Sequence, residues 1–194
     1  TLEPSSAASD VYKRQNYILS SGLKFNKLDI EINLNQEYAK STVFSALNLL
    51  ESEHQEIKTR INHNSQNCQS YQKIKNVLSD QSKGVYQGKI FVKKIAQKTD
   101  AYQLSKALIL NDNAEFDAKP ELEIYADDVK CSHGSTSGSI DLDSLHYLKS
   151  RGIPEKEAYK MLISGFLGET LEKLTEENVK LFLLKKLEGQ INGN

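Results

Sequence analysis

The sequence predicts a mainly β chain that ends in a small helical domain, and three observations support this. Apolar and polar residues alternate with a period of two from about residue 23 to residue 140, and residues 28–34 place four apolar side chains on one face. The turns between these runs are rich in Asn, Gln and Ser. After Gly138 the apolar residues recur at helical spacing instead.

The β-type runs are short and follow one another without a long helical pattern between them. After residues 28–34 they continue at residues 85–86, 89–92, 107–110 and 122–125. Strands of this spacing are compatible with a sandwich, a barrel or a β-solenoid. Polar turns such as residues 62–67 and 110–113 favour stacked coils, because their side chains can hydrogen-bond along the stack. There is no exact repeat, so the pattern alone leaves the three architectures open.

The helical part begins with a capped helix near residue 141. Asp141 can cap its first turn, Leu145 and Leu148 share one face, and Gly152 can end it. Pro154 at a first-turn position predicts the start of a second helix. Its apolar residues at helical spacing are Ala158, Met161, Leu162 and Phe166.

A third helix is predicted to open at Thr175, followed by two glutamates. It carries Lys185 and Lys186 in its last turn and closes before Gly189. Acidic residues at the start and basic residues at the end are the charge order that the helix dipole favours. The apolar faces of the three helices are expected mainly to pack in the core. An apolar face that the core does not use would be a docking surface.

Composition narrows the class of protein. The 194 residues, 38% of them hydrophobic and 26% charged, suffice for one substantial core. A net charge of -1 with both signs dispersed predicts neither nucleic-acid nor anionic-membrane binding. The sequence shows no apolar run of membrane-spanning length and no signal-peptide pattern. Cys68 and Cys131 are too few for a secreted disulfide framework, so we expect the cytoplasm, or alternatively a plastid stroma.

The strongest candidate site is the pair Cys131 and His133, which precedes a glycine-bearing stretch. In a strand these side chains project from one face, with Cα atoms roughly 6.5 to 7 Å apart. A thiolate and an imidazole suit zinc or iron–sulfur chemistry better than calcium or magnesium. The alternative is that Cys131 is simply a small buried apolar residue, and the spacing alone leaves both interpretations open.

Other candidate sites are weaker. Residues 134–138 lack the ending of a phosphate-binding loop and are expected to form a turn. Asp127 and Asp128 would point to opposite faces of a strand, so we expect turn hydrogen bonding rather than joint acid–base chemistry. His54 and His63 lie in polar surroundings and are expected at the surface.

Two further residues have no predicted chemical role. His146 lies at helical spacing among apolar residues and is expected to contribute to packing. Cys68 has no neighbouring base and no metal-ligand spacing, so we do not expect a nucleophile there.

Four segments together resemble the SufB/SufD family of iron–sulfur cluster assembly proteins, over roughly residues 23–187. The matching segments are residues 84–90, 96–101, 119–134 and 147–153. Their order and spacing are similar to the family's. The form Asp-Asp-Val-Lys-Cys-Ser-His-Gly at residues 127–134 is typical of the SufD branch and not of the SufB branch.

The resemblance implies a right-handed parallel β-helix followed by a C-terminal helical domain. It also implies a non-catalytic scaffold that pairs with a SufB-like subunit through the β-helix. His133 would take part in forming a transient iron–sulfur cluster at that boundary. Cys131 is the weaker candidate ligand, since it could face the helix interior. Because this pair alone is an incomplete donor set, we expect no cluster to be held stably by this chain.

The resemblance further implies that the C-terminal helices dock a SufC-like ATPase, which is the subunit that hydrolyses ATP. One alternative is a purely structural interaction module without a metal role. A polysaccharide-acting β-helix enzyme is disfavoured, because neither a carboxylate cluster nor a secretion signal is evident in the sequence.

The predicted organisation has three parts. Residues 1–15 are expected to be an adapter-derived or disordered tail, residues 16–140 the β-helix core, and residues 141–194 the helical domain. Since the only methionine is Met161, we expect the chain to be the C-terminal part of a longer protein.

Overall fold

Nine strands precede three helices in the computed structural model, which describes residues 13–174 and 176–192. The strands are β1 (Lys13–Ser20), β2 (Phe25–Leu34), β3 (Lys40–Leu49), β4 (His54–His63), β5 (Gln69–Leu78), β6 (Lys83–Val92), β7 (Thr99–Ile109), β8 (Glu115–Ile124) and β9 (Val129–Gly138). The helices are α1 (Leu142–Ser150), α2 (Glu155–Gly168) and α3 (Glu177–Asn192).

Odd and even strands form two separate parallel sheets. Sheet A has the order β1-β3-β5-β7-β9 and sheet B the order β2-β4-β6-β8. Each strand pairs with the strand two positions later, as Lys40 does with Gln69, so one turn takes roughly 30 residues. The result is a parallel β-solenoid of about four turns, followed by the three helices. The predicted fold class is confirmed.

Alternating side chains build the interior between the two sheets. In β2 the apolar residues from Leu28 to Leu34 point inward, and Ile32 and Leu34 are buried. The next turns stack Ile61 and Ile90 on Ile32 in register. Burying a stacked apolar row in this way is the main stabilising contribution to a solenoid, since a single coil cannot cover its own apolar face.

Polar side chains hydrogen-bond along the corners, as the Asn-rich turns predict. The Asn62 amide donates to Asn33 Oδ1 at 2.8 Å, and the Asn64 amide donates to Asn35 Oδ1 at 2.7 Å. At the same corner, Asn67 adopts a left-handed backbone with φ of 58°. Asn tolerates this conformation better than most residues, which explains its place in the turn.

The strands start slightly earlier than predicted. β1 begins at Lys13, three residues before the expected start of the β-helix core. The rest of the expected tail, residues 1–12, lies outside the described residues, and so does Thr175, the predicted start of the third helix. The last strand ends at Gly138 and α1 begins at Leu142.

Helix α1 confirms the predicted caps but not the predicted packing of its histidine. The Asp141 carboxylate accepts a hydrogen bond from the Asp143 amide at 3.2 Å, and Gly152 follows the helix with φ of +85°. Of the apolar face, Leu145 is buried. His146 is exposed, so the expectation that it contributes to packing is wrong. It is one position from Leu145, which turns it away from the buried face.

Helices α2 and α3 differ from prediction in which residues they bury and where α3 ends. Pro154 precedes α2 as predicted, but Met161 is 50% exposed, while Ile163 and Leu167 are buried. Helix α3 continues through Gly189 to Asn192. Leu187 is buried against the other helices, and this packing outweighs the cost of about 1 kcal/mol for a glycine inside a helix.

The helices pack on the outer face of sheet A. Ala46 and Val77 from the sheet share one buried cluster with residues from all three helices. Lys75 of β5 is fully buried at this interface. Its ammonium donates to the Phe166 carbonyl at 2.6 Å, pairs with Glu169, and lies 4.2 Å from the centre of the Phe166 ring. The helical domain is therefore joined to the solenoid by both apolar and charged contacts.

Candidate functional site

The candidate site lies at the final turn of the solenoid. β9 is the last strand of sheet A and β8 the last strand of sheet B, so each has one edge without a neighbouring strand in the described part of the chain. This pair of free edges is called the terminal edge below. Residues that point inward on β8 and β9 are therefore open to solvent at one side.

Cys131 and His133 both point inward at the terminal edge. On β7, Ala101 and Gln103 are buried in the interior, with 1% and 0% exposure. Cys131 pairs in register with Ala101, and His133 pairs with Gln103. Since side chains in register on parallel strands share a face, both candidate ligands belong to the inward face of β9.

Cys131 is partly buried in this interior. It packs against a cluster that includes Ile90 and Ala101, and Leu122 of β8 contacts the same cluster. Burial raises the pKa of the Cys131 thiol, although a backbone hydrogen bond from Ala101 offsets part of the rise. Metal binding at this thiol must therefore displace a proton that is held more tightly than usual.

His133 is the exposed member of the pair. Its imidazole makes no hydrogen bond and no salt bridge to any residue that the structure describes. Neighbouring Ser132 points to the opposite face, in register with Tyr102. The site can thus present one free imidazole nitrogen donor beside a partly buried thiol at the mouth of the solenoid.

These two donors do not belong to a larger ligand cluster. Among residues 13–174 and 176–192, no group of three or more His, Cys, Asp or Glu is placed to hold a metal ion. A soft thiolate with an imidazole matches the donor types that iron–sulfur and zinc sites use.

The segment around the pair differs from prediction in one respect. Residues 134–138 belong to β9 and pair with β7 along its length, so the predicted turn there is wrong. Backbone pairing with β7 makes these polar residues a strand, because a strand at the end of a stack needs few apolar side chains of its own. Asp127 and Asp128 lie in a bend before β9 rather than on a strand, and the backbone N–H of Asp128 donates to Gln97 Oε1 at 2.9 Å.

His63 was expected at the surface, and this is wrong. It is fully buried at the end of β4, and its Nε2 lies 2.8 Å from Ser70 Oγ. Burial lowers the pKa of His63 to about 4. Its position alternates with Ile57 and Ile61 on the inward face, which is the sequence signal that could have placed it in the interior.

Cys68 is also buried, although its sequence neighbours are polar. Its Sγ lies 3.1 Å from the Gln36 carbonyl, and burial raises the pKa of its thiol.

Sequence reasoning also missed a polar cluster in the interior directly beneath the site. Gln72 and Gln103 are fully buried and in register on neighbouring strands, and Tyr86 and Thr59 meet them from sheet B. Their place in the alternating inward rows was the available signal, but glutamine is usually exposed and does not mark a core position.

One further structural finding concerns the helices of the described residues: none of them is both long and apolar enough to cross a lipid bilayer.

Known proteins similar to this chain come from one family. The profile of the family described as "SUF system FeS cluster assembly, SufBD core domain" matches residues 9–166. The chain is 39% identical over 160 residues to the iron–sulfur cluster assembly protein SufD of Escherichia coli, a match covering 82% of this chain and 38% of that protein.

Two further relatives agree. An iron–sulfur cluster assembly SufBD family protein of Synechocystis is 35% identical over 79% of this chain and 34% of its own length. SufD of Bacillus subtilis is 35% identical over 69% of this chain and 30% of its own length. The chain thus spans roughly a third of each of these relatives. The profile match and these relatives, which agree with the parallel solenoid, establish that the chain belongs to the SufBD core domain family of SUF-system iron–sulfur cluster assembly proteins.

Proposed function

We propose that this chain is a scaffold part of a SufBCD-type complex, which pairs with a SufB-like subunit where a nascent iron–sulfur cluster forms. The observation that carries the proposal is the position of Cys131 and His133. Both lie on the inward face of the last strand, at an edge where another chain can approach. A scaffold role requires donors that a second subunit can reach, and His133 meets that requirement because it is exposed.

The terminal edge is suited to a partner of the same architecture. The outer edges of β8 and β9 carry backbone N–H and C=O groups without strand partners among the described residues. Such edges can accept strands from a second chain through main-chain hydrogen bonds. A SufB-like solenoid docked there would bring its own side chains opposite Cys131 and His133.

Shared ligation explains how a cluster could be built and then released. His133 would contribute an imidazole nitrogen, and Cys131 a thiolate once its proton is displaced. The partner would complete the donor set, so the cluster would be cargo of the complex rather than a resident cofactor. Separation of the two edges would remove part of the ligand set and weaken the hold on the cluster.

The helices are proposed to dock a SufC-like ATPase, while this chain itself remains non-catalytic. Helix α3 exposes Val179, Leu181 and Phe182, which are 46%, 55% and 59% exposed. Three large apolar residues within one turn of a helix are more than the solenoid contact requires, and they fit a docking face. Nucleotide-driven movement of the ATPase would act on α3 and reach sheet A through the helix contacts.

The decisive experiment is complementation of a strain that depends on this pathway with the full-length parent protein. His133→Ala is expected to abolish growth without unfolding the protein, because an exposed imidazole contributes little to packing. Ser132→Ala is the matched control, since Ser132 is adjacent but points to the opposite face. Growth of His133→Ala equal to that of Ser132→Ala would eliminate the ligand role.

A purely structural interaction module is the second candidate, and the packing of Cys131 favours it. Cys131 contacts the buried cluster of Ile90 and Ala101, as a small apolar residue would. Cys131→Val keeps the packing and removes the thiol, whereas Cys131→Ser keeps a polar group and loses apolar contact. Full activity of the Val variant together with loss in the Ser variant would assign Cys131 to packing.

The proposed compartment is the cytoplasm of a bacterium or a plastid stroma. The relatives include bacterial proteins and an Arabidopsis protein whose name describes it as chloroplastic.

A further inference from the structure

Gln103 lies directly beneath His133 in the stack of inward-facing side chains. It is fully buried on β7, and its register partner on β9 is His133. Neighbouring parallel strands are about 4.8 Å apart, so side chains in register on one face are in contact range. A side-chain amide, which can both donate and accept, therefore lies next to the imidazole.

The amino group of Gln103 is directed away from His133. Nε2 donates to the carbonyl of Gly88 at 3.3 Å and to the carbonyl of Glu121 at 3.4 Å. A primary amide has two N–H donors, and both are used here. These bonds cross the interior, so Gln103 ties sheet A to β6 and to the edge strand β8.

The carbonyl oxygen of Gln103 is occupied as well. Oε1 accepts from Gln72 Nε2 at 3.4 Å, and the Tyr86 hydroxyl lies 3.5 Å away. The same hydroxyl lies 3.2 Å from Gln72 Oε1, so its proton is shared between the two amides. The amide thus has no free donor and no free lone pair for His133.

Gly88 makes this arrangement possible. A Cβ atom at position 88 would overlap the Tyr86 hydroxyl and lie 2.5 Å from Gln103 Oε1. Any larger residue must push both groups out of place. The hydrogen-bond partners of the Gln103 amide lie on β5, β6 and β8, so the direction without a partner is the one toward β9 and His133.

We propose that Gly88, Tyr86 and Gln103 form a positioning device that keeps the Gln103 amide away from His133, so that the imidazole stays free to bind a group from outside the chain. Gln103 is a positioning residue and never touches the cluster. The inference deepens the proposed function and rests on it, since a free imidazole matters only if His133 is a ligand. The reactivity of His133 is nevertheless measurable without any cluster.

The test compares how fast two imidazoles of the same 194-residue chain react with diethylpyrocarbonate. His146 is exposed on α1 and serves as the internal standard for His133. Mass spectrometry of the peptides gives the ratio of the two modification rates at a fixed pH. Gly88→Ala is expected to lower the His133/His146 ratio at least fivefold, because the displaced Gln103 amide then hydrogen-bonds the imidazole.

Two controls separate this effect from general disturbance. Gly84→Ala is matched, because Gly84 is on the same face of β6 and its added Cβ would meet the Leu78 side chain at 3.2 Å and Asn76 Oδ1 at 3.4 Å, but neither Tyr86 nor Gln103. Its ratio should stay within twofold of that of the unmodified sequence. Adding Gln103→Ala to Gly88→Ala removes the amide and should restore the ratio to within twofold, which a merely structural defect would not do.

Clear outcomes overturn the proposal. A folded Gly88→Ala chain with an unchanged ratio would do so, and so would a double variant whose ratio stays low. Should Gly88→Ala not fold, Tyr86→Phe frees one lone pair of Gln103 Oε1, and the ¹⁵N shifts of the His133 ring should then show its N–H bonded to that oxygen; unchanged shifts would reject the idea. The ¹⁵N chemical shifts of the His133 ring report the new hydrogen bond directly. Loss of growth on His133→Ala tests the ligand role separately, so the two ideas can fail independently.

Discussion

At the scale of single residues, burial rather than residue type decides the chemistry. His133 and His63 are both at inward positions, but only His133 is at the terminal edge. His133 is exposed there, whereas three-dimensional packing closes over His63 and lowers its pKa to about 4. Cys131 is intermediate, since burial raises its thiol pKa without hiding it fully. The same solenoid therefore makes His63 a buried structural residue and leaves His133 accessible from solvent.

His63 predicts a specific acid sensitivity. Its pKa of about 4 in the folded chain lies below the ordinary 6.5, so the unfolded chain binds this proton first as the pH falls. The contribution of His63 to the free energy of unfolding is thus fully present above about pH 6.5. It is lost progressively as the pH falls toward 4, by roughly 3 kcal/mol in total. Urea unfolding at several pH values should show this loss, and His63→Gln should flatten it.

The control for this prediction is an exposed histidine. His146→Gln changes the same residue type on the outside of α1 and should leave the pH dependence of unfolding unaltered. If His63→Gln and the original sequence lose the same free energy of unfolding as the pH falls, then other groups cause the acid sensitivity.

At the scale of elements, charged and apolar contacts join α2 to sheet A at one place. Lys75 is buried, and its ammonium is held by the Phe166 carbonyl, the Phe166 ring and Glu169. Burial lowers the Lys75 pKa, and Glu169 partly compensates. The positive charge sits at the C-terminal end of α2, where the helix dipole favours it. Together with the Lys73–Glu169 pair at 3.3 Å, this contact is a charged link between the helical domain and the solenoid.

Lys75→Ala should therefore loosen the helical domain. It removes the ion pair, the cation–π contact and the partner of the Phe166 carbonyl, and should lower the free energy of unfolding by about 2–3 kcal/mol. Hydrogen exchange should rise in α2 before it rises in the strands. Lys149→Ala is the matched control, because its pair with Glu155 is exposed and should contribute less than about 0.5 kcal/mol.

The proposed docking of a SufC-like ATPase on α3 can be tested by substitution. Phe182→Ala removes an exposed aromatic residue and should weaken binding of a SufC-like partner about tenfold without lowering stability. Tyr147→Ala removes an exposed aromatic residue of α1 instead and should have little effect. Calorimetry or surface plasmon resonance with the purified partner measures both. If Phe182→Ala and the control variant bind the partner with equal affinity, the ATPase contacts another face of the chain.

At the scale of the whole molecule, the solenoid places its chemistry at one end. Stacked coils bury the interior of the middle turns, whereas at the last turn inward side chains such as His133 meet solvent. The same edge carries free backbone groups that can pair with another chain. The proposed ligand residues and the proposed pairing surface therefore lie at the same edge, as a site shared between two subunits would require.

The proposed shared site predicts a difference in iron retention between the chain alone and its complex. After anaerobic reconstitution with iron and sulfide, this chain alone should hold little iron against a chelator, because two donors leave the remaining positions to water or small thiols. The complex with a SufB-like partner should hold more. A stoichiometric, chelator-resistant cluster on the isolated chain, dependent on both Cys131 and His133, would contradict the shared site.

Local sequence was enough for much of the fold. The period-two pattern identifies strands such as β2, the Asn-rich turns indicate stacked coils, and Asp141 and Gly152 mark the ends of α1. These features depend on neighbouring residues, whose side-chain direction follows directly from backbone geometry. The alternation also establishes that Cys131 and His133 share a face.

Only the tertiary structure decided which face is inside and which turn is last. The burial of His63, the continuation of α3 through Gly189 and the saturation of the Gln103 amide all depend on partners distant in sequence. In a solenoid those partners lie roughly 30 residues away, beyond the reach of local periodicity. The free energy of burial is a property of that packing, so the same histidine side chain becomes a buried core residue at position 63 and an open donor at position 133.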